Sequence, residues 1–246
     1  DESLVRRLLF QLGQGYEFSK GYYARVEDGR LYGRLFRLFY VPLVRALLDA
    51  HPEAFLRYLD SFRYALAGEF AATAATARRI RMPRRWGLEV GTLGDAFDVA
   101  GAAGTAQVDL GRYEHDHRRV EGSGGLSAMS QSVGETLLRS VVEHGVDVDF
   151  DTLAERYRTA AGDLLHQYEL DAGFNGLSFD PANERDQVAQ YAEAVVEPTG
   201  PDDRLPTWAT APLEPDAVAD AAAADVESAI DAPAPSTAAP PTEAGE

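Results

Sequence analysis

The chain contains no cysteine, and its 23 basic residues include a single lysine, Lys20. Without cysteine there are no disulfides, no thiolate metal sites and no cysteine nucleophile. No run of about eighteen apolar residues occurs, so no membrane-spanning helix is predicted. No leader-peptide pattern follows Asp1. Positive charge is scarce, and the net charge is −17. That balance argues against non-specific binding to nucleic acid or to an anionic membrane. A cytoplasmic setting fits these absences best. An acidic, lysine-poor chain reads either as halophilic or as the product of a GC-rich genome with an acidic tail. The signatures of P-loop nucleotide binding, of serine hydrolases and of HExxH zinc enzymes are also missing.

What is present is an ordered series of elements. Leu4, Val5, Leu8, Leu9 and Leu12 fall at helical spacing, and Gly13 and Gly15 stop that helix. The aromatic-rich stretch 16–25 reads as a strand, and Glu27-Asp28-Gly29 as a turn. A long amphipathic helix is expected from about Leu31 to Ala50, kinked or split at Pro42. Pro52 opens a short helix. The small-residue run 65–80 reads as a closely packed helix ended by Pro83. Another helix is expected over Leu88–Ala100, a strand over Thr105–Leu110, a glycine-rich loop at 122–125, and helices near 126–145, 151–172 and 182–196. From Pro198 the chain turns to Ala, Pro and acids, which cannot offset the entropy of ordering. The expected organisation is therefore one domain over 1–197 and a disordered acidic tail over 198–246. Two or three strands among many helices imply either a mostly helical domain or the back half of an α/β fold.

Chemistry-bearing residues gather at one strand end, AQVDLGRYEHDHRR (106–119). His115 and His117 share a face if the chain stays extended, with Asp109, Glu114 and Asp116 nearby in sequence. Such a pair could hold a divalent metal, or could belong to a solvated polar loop. Glu89 lies in WGLEVG at the start of a helix, where the positive helix end stabilises its charge. It reads as a functional carboxylate or as an ordinary first-turn acid, and Glu69 shares that ambiguity. Arginines cluster at 78–85, at Arg112, Arg118 and Arg119, and at Arg30, Arg34 and Arg37. They suit phosphate or carboxylate oxygens, or they pair with some of the 40 acids.

Five stretches in this order carry a family resemblance: FSKGYY (18–23), GRLFRLFYVPL (33–43), YALAGEF (64–70), WGLEVG (86–91) and AQVDLGRYEH (106–115). Together they resemble the C-terminal half of the glucosyl-3-phosphoglycerate synthases and related GT-A nucleotide-sugar glycosyltransferases. The resemblance implies an α/β, GT-A-like fold, here mostly helical, without the N-terminal nucleotide-binding half. It implies metal-dependent, retaining sugar transfer from a nucleotide-sugar donor to a small phosphorylated or carboxylated acceptor such as 3-phosphoglycerate. Mg2+ or Mn2+ would be held by an Asp-x-Asp pair and by the histidine matching His115. Glu89 would bind donor-sugar hydroxyls, Leu66 and Trp86 would stand beside that sugar, and Arg118 would lie near the donor phosphates. Arg34 would grip the acceptor. Two positions depart from the pattern: Phe36 replaces a threonine of the acceptor loop, and His117, also on the acceptor side, replaces an asparagine. No suitable Asp-x-Asp precedes residue 18, so the chain is expected to begin just after that motif; Asp147-Val148-Asp149 lies on the wrong side of His115. A homodimer is compatible with all of this. Two other readings stay open: a non-catalytic helical interaction module, and an HxH metal-dependent hydrolase.

Overall fold

Helix α1 (Glu2–Gly13) leads into strand β1 (Phe18–Ala24). Leu8 of α1 is buried and Leu4 packs against the core, whereas Val5, Leu9 and Phe10 are exposed. The computed structural model describes residues 2–112 and 125–231, in two units divided between Ala209 and Thr210. In the first unit, β1 is the middle strand of a three-stranded sheet and is buried along most of its length. It runs parallel to β5 (Thr105–Arg112), with Lys20 opposite Gln107, and antiparallel to β4 (Phe70–Ala72), with Lys20 opposite Phe70. Strands β2 (Val26–Glu27) and β3 (Arg30–Leu31) form a small hairpin around Asp28 and Gly29, both in the left-handed region. The class is α/β, mostly helical with a small sheet.

The long helix expected from Leu31 to Ala50 is divided. A π-helical turn covers Leu35–Tyr40, and α2 covers Val41–Ala50 with Pro42 in its first turn. Proline has no N–H to give the carbonyl four residues back. That carbonyl belongs to Leu38, and the buried Tyr157 hydroxyl donates to it at 2.6 Å. A side chain from 119 positions downstream therefore satisfies the group that Pro42 leaves open. Burial pushes the Tyr157 phenol well above its ordinary range, so it remains a donor.

The run 65–80 is not one helix. It holds a turn at 62–68, β4, and the short α4 (Ala74–Ala77) capped by Thr73. Alanine favours helix, but Phe18–Lys20 of β1 need ladder partners, and Phe70–Ala72 supply them. Pairing across the sheet outweighs local propensity here.

Helix α3 (Ala54–Asp60) follows α2, and α5 (Leu88–Ala100) lies against α6 (Gly125–Glu143). Helix α7 (Phe150–Phe174) packs on α2, and α8 (Pro181–Ala192) on α7 and the π-helical turn. Asp149, the second acid of the Asp-x-Asp letters at 147–149, caps α7 by accepting from the Asp151 N–H and the Thr152 hydroxyl. The core joins Phe39, Tyr157 and Tyr191 with Leu43, Leu47, Leu56, Leu93 and Leu137, all buried. The first unit continues past residue 197 through a segment whose Leu205 N–H donates to the Met82 carbonyl. In the second unit, Pro215–Asp231 forms α9, within the stretch whose composition reads as a disordered tail. No helix among the described residues is long and apolar enough to cross a membrane.

Candidate active site

Lys20 stands at the centre of the arrangement. It lies on the middle strand and is 1% exposed. Its Nζ donates to the carbonyl of Ala67, in the turn that carries Leu66. The turn closes on β1 because residue 21 is glycine: a Cβ there would stand 2.5 Å from Leu110 Cδ1 and 3.1 Å from the Glu69 carbonyl oxygen. The Gly21 N–H donates to that carbonyl at 2.8 Å.

Burial pushes the Lys20 amine down to about 8, and the carboxylates of Glu89 and then Glu69 oppose that fall. Glu89 belongs to the first turn of α5, and Glu69 ends the Leu66 turn. One buried cation thus shares its surroundings with a carboxylate from a helix and another from a loop. Glu69 Oε2 is buried and makes no hydrogen bond among the described residues.

The start of α5 is fixed by two devices. Gly87 precedes it at φ 110°, a conformation that disfavours a side chain, and a Cβ there would meet Thr136 Oγ1 at 2.7 Å. Upstream, Arg81 grips Asp95 of α5. Its backbone N–H lies 2.6 Å from Oδ2, and its Nε and Nη2 lie 3.0 and 2.5 Å from Oδ1. Asp95 is buried, and this bonding raises the Arg81 guanidinium above its ordinary value. The segment 81–87 is therefore clamped to the helix it introduces. Trp86, within that segment, is half exposed and lines a small pocket with Pro83, Arg139 and Arg204.

Arg34 stands just before the π-helical turn. The backbone beside it lies against the Tyr64 side chain, since a Cβ on Gly33 would lie 2.8 Å from the Tyr64 hydroxyl. The rings of Phe36 and Tyr64 have centroids 4.8 Å apart. Phe36, at the position where the family pattern has a threonine, points into this aromatic cluster and is buried. Arg34 Nε donates to Glu184 Oε1 of α8 at 3.1 Å, while buried Arg37 donates to Oε2 at 3.2 Å. Arg37 also donates to the carbonyls of Leu31 and Tyr32 and lies over the Tyr168 ring at 4.9 Å.

The Leu66 turn thus meets Lys20 through the Ala67 carbonyl, the charge of Glu89 acts on the same amine, and Gly33, next to Arg34, lies against the Tyr64 ring. His115, His117 and Arg118 lie outside the described residues. Asp109, near the end of β5, accepts from the Gly111 N–H at 2.8 Å and so serves its own turn. Sequence reasoning gave no role to Lys20 or Glu184. A lone lysine in an arginine-rich chain was the available signal for the first. Nothing local marks the second.

No protein-family model matches the chain. The glucosyl-3-phosphoglycerate synthase of Methanococcoides burtonii is 36% identical over 233 residues, covering 85% of this chain and 56% of that protein. The enzyme of the same name from Persephonella marina is 39% identical over 202 residues, covering 78% and 50%. The Mycobacterium tuberculosis enzyme is 33% identical over 135 residues. Its crystal structure with phosphoglyceric acid aligns to 56% of this chain at 32% identity and a TM-score of 0.44, too low to compare architectures. The chain spans about half the length of the curated relatives it matches. Along most of its own length, this chain is homologous to the glucosyl-3-phosphoglycerate synthases.

Proposed function

We propose that the chain forms the acceptor- and metal-side part of a GT-A glycosyltransferase that moves glucose from a nucleotide sugar to a small anionic acceptor, 3-phosphoglycerate being the first candidate. The observation that carries this reading is identity of 36–39% to glucosyl-3-phosphoglycerate synthases over most of the chain. Structures of the Mycobacterium tuberculosis enzyme hold Mn2+, UDP-glucose and phosphoglyceric acid together, which supports the same classes of ligand here.

In this proposal the acceptor hydroxyl forms the new bond to the anomeric carbon as the bond from that carbon to the diphosphate oxygen breaks. The diphosphate departs with the electron pair, and its freed oxygen takes up the proton of the acceptor hydroxyl. Configuration at the anomeric carbon is retained, and no protein nucleophile is assigned. Glu89 accepts hydrogen bonds from sugar hydroxyls and so fixes the ring, with Leu66 and Trp86 beside it. Arg34 has one nitrogen on Glu184 and is partly exposed, which leaves guanidinium edge for an acceptor phosphate or carboxylate. His117 would stand on the acceptor side and Arg118 near the donor phosphates. Mg2+ or Mn2+, when bound, neutralises the leaving diphosphate. Among the described residues no three metal-ligating side chains come together. The family pattern implies that His115 would hold the ion together with an Asp-x-Asp pair.

The test is product formation by the full-length protein from UDP-glucose and 3-phosphoglycerate with Mn2+. Loss of transfer on chelation and in His115→Ala is the expected result. Transfer that is indifferent to both would overturn the metal assignment, and no transfer to any small anionic acceptor would overturn the reading itself.

A further inference from the structure

The chain's one lysine occupies a place where lysine is costly. Its side chain is enclosed, and an isolated ammonium in such a site is strongly penalised unless neighbours compensate. The compensation is specific. The Ala67 carbonyl accepts from Nζ, the Phe70 ring centroid lies 6.0 Å away, and the charges of Glu89 on α5 and then of Glu69 before β4 favour the ammonium. On the other side, β5 presents uncharged Gln107 opposite Lys20. A methionine would fill the same volume without these costs. A structural role alone gives no reason for a charge that burial opposes, whereas a charge needed by a neighbouring carboxylate does.

We propose that Lys20 is a positioning residue for the donor-sugar subsite: its ammonium ties down the Leu66 turn through Ala67 and holds Glu89 as a fixed carboxylate facing the sugar. The inference rests on the sugar-transfer reading and deepens it. Glu89 stands partly buried in the first turn of α5. A buried cation fixed by strand β1 attracts that carboxylate, and more strongly once a neutral hexose displaces water around it. Lys20 also couples the two walls of the subsite, because the same amine holds the Leu66 turn.

The test uses full-length protein labelled with 13Cε-lysine, in which the Lys20 resonance is the one missing from Lys20→Arg. Its titration should have a midpoint near 8. The midpoint should fall further in Glu89→Gln, and by less in Glu69→Gln. Steady-state kinetics provide the second arm. Lys20→Met, shown folded by its melting curve, should raise the KM for UDP-glucose about tenfold with a smaller change in kcat. The wild-type kcat/KM for the donor should decline as pH rises through about 8, and that decline should be absent in Lys20→Met. A Lys20 midpoint unmoved by Glu89→Gln, or a folded Lys20→Met with wild-type KM and pH profile, overturns the inference. The two levels separate cleanly. Absence of transfer by the wild type overturns the sugar-transfer reading and this role with it. Transfer that depends on Glu89 but ignores Lys20→Met overturns this inference alone.

Discussion

Arg34 donates through Nε to Glu184 at 3.1 Å, across 150 positions of sequence. The same carboxylate receives Arg37, so one acid from α8 orders two arginines at the start of the π-helical turn. Arg37 and Glu184 are both buried, and Arg34 is partly open.

Glu184 should therefore matter for stability and for the acceptor together. Glu184→Ala leaves the buried Arg37 guanidinium without its counter-charge, a loss of about 3–5 kcal/mol for a buried pair. The milder Glu184→Gln keeps a hydrogen-bond acceptor and allows Arg34 to rotate. We expect a lowered melting temperature in both variants and a raised KM for 3-phosphoglycerate in Glu184→Gln, with the KM for the donor little changed. Denaturant melts and initial rates at varied acceptor check this. An unchanged acceptor KM would separate Glu184 from Arg34 function.

Gly87 sets the entry to α5. At φ 110° an alanine is strained by about 1–3 kcal/mol, and its Cβ would collide with Thr136. Glu89 lies two residues on. Gly87→Ala should lower stability and raise the KM for the nucleotide sugar, and comparing melting curves with donor kinetics shows both effects. Wild-type stability would mean that the loop can relax into another path.

Lys20 makes stability depend on pH with a definite sign. Burial lowers its folded-state value to about 8 from 10.5, against the opposing fields of Glu89 and Glu69. Below about 8 both states hold the proton and the folded state bears the cost of the buried charge. Between about 8 and 10.5 the folded chain has released the proton while the unfolded chain still holds it, so stability rises with pH. The full swing is about 3 kcal/mol. Lys20→Met should accordingly be more stable than wild type at neutral pH, and the gap should close as pH approaches 10.5. Paired unfolding curves across that range measure it; a gap independent of pH would contradict the buried ammonium.

Local chemistry made much of the fold legible. The helix expected over Leu88–Ala100 has those bounds, because Gly87 and Gly101, both at positive φ, flank it. The strand beginning at Thr105 starts there and continues to Arg112. Pro42 marked the division of the long helix, but not the wide turn before it or the hydroxyl that repairs it, which comes from Tyr157. Strand β4 stayed hidden because Phe70–Ala72 sit in an alanine-rich run and become a strand only against β1. At the site, Glu89 and Leu66 carried signals in their motifs. Lys20 and Glu184 act through partners that sequence spacing does not reveal, a turn and a helix brought in by the core.

The central claim is that Glu89 serves sugar transfer. The most direct measurement is the turnover of UDP-glucose with 3-phosphoglycerate by full-length wild type and Glu89→Gln, both shown folded by their melting curves. The account predicts a fall in kcat/KM of about a hundredfold or more in the variant, in keeping with loss of a group that orients the reacting sugar. Equal turnover by the two proteins would contradict it.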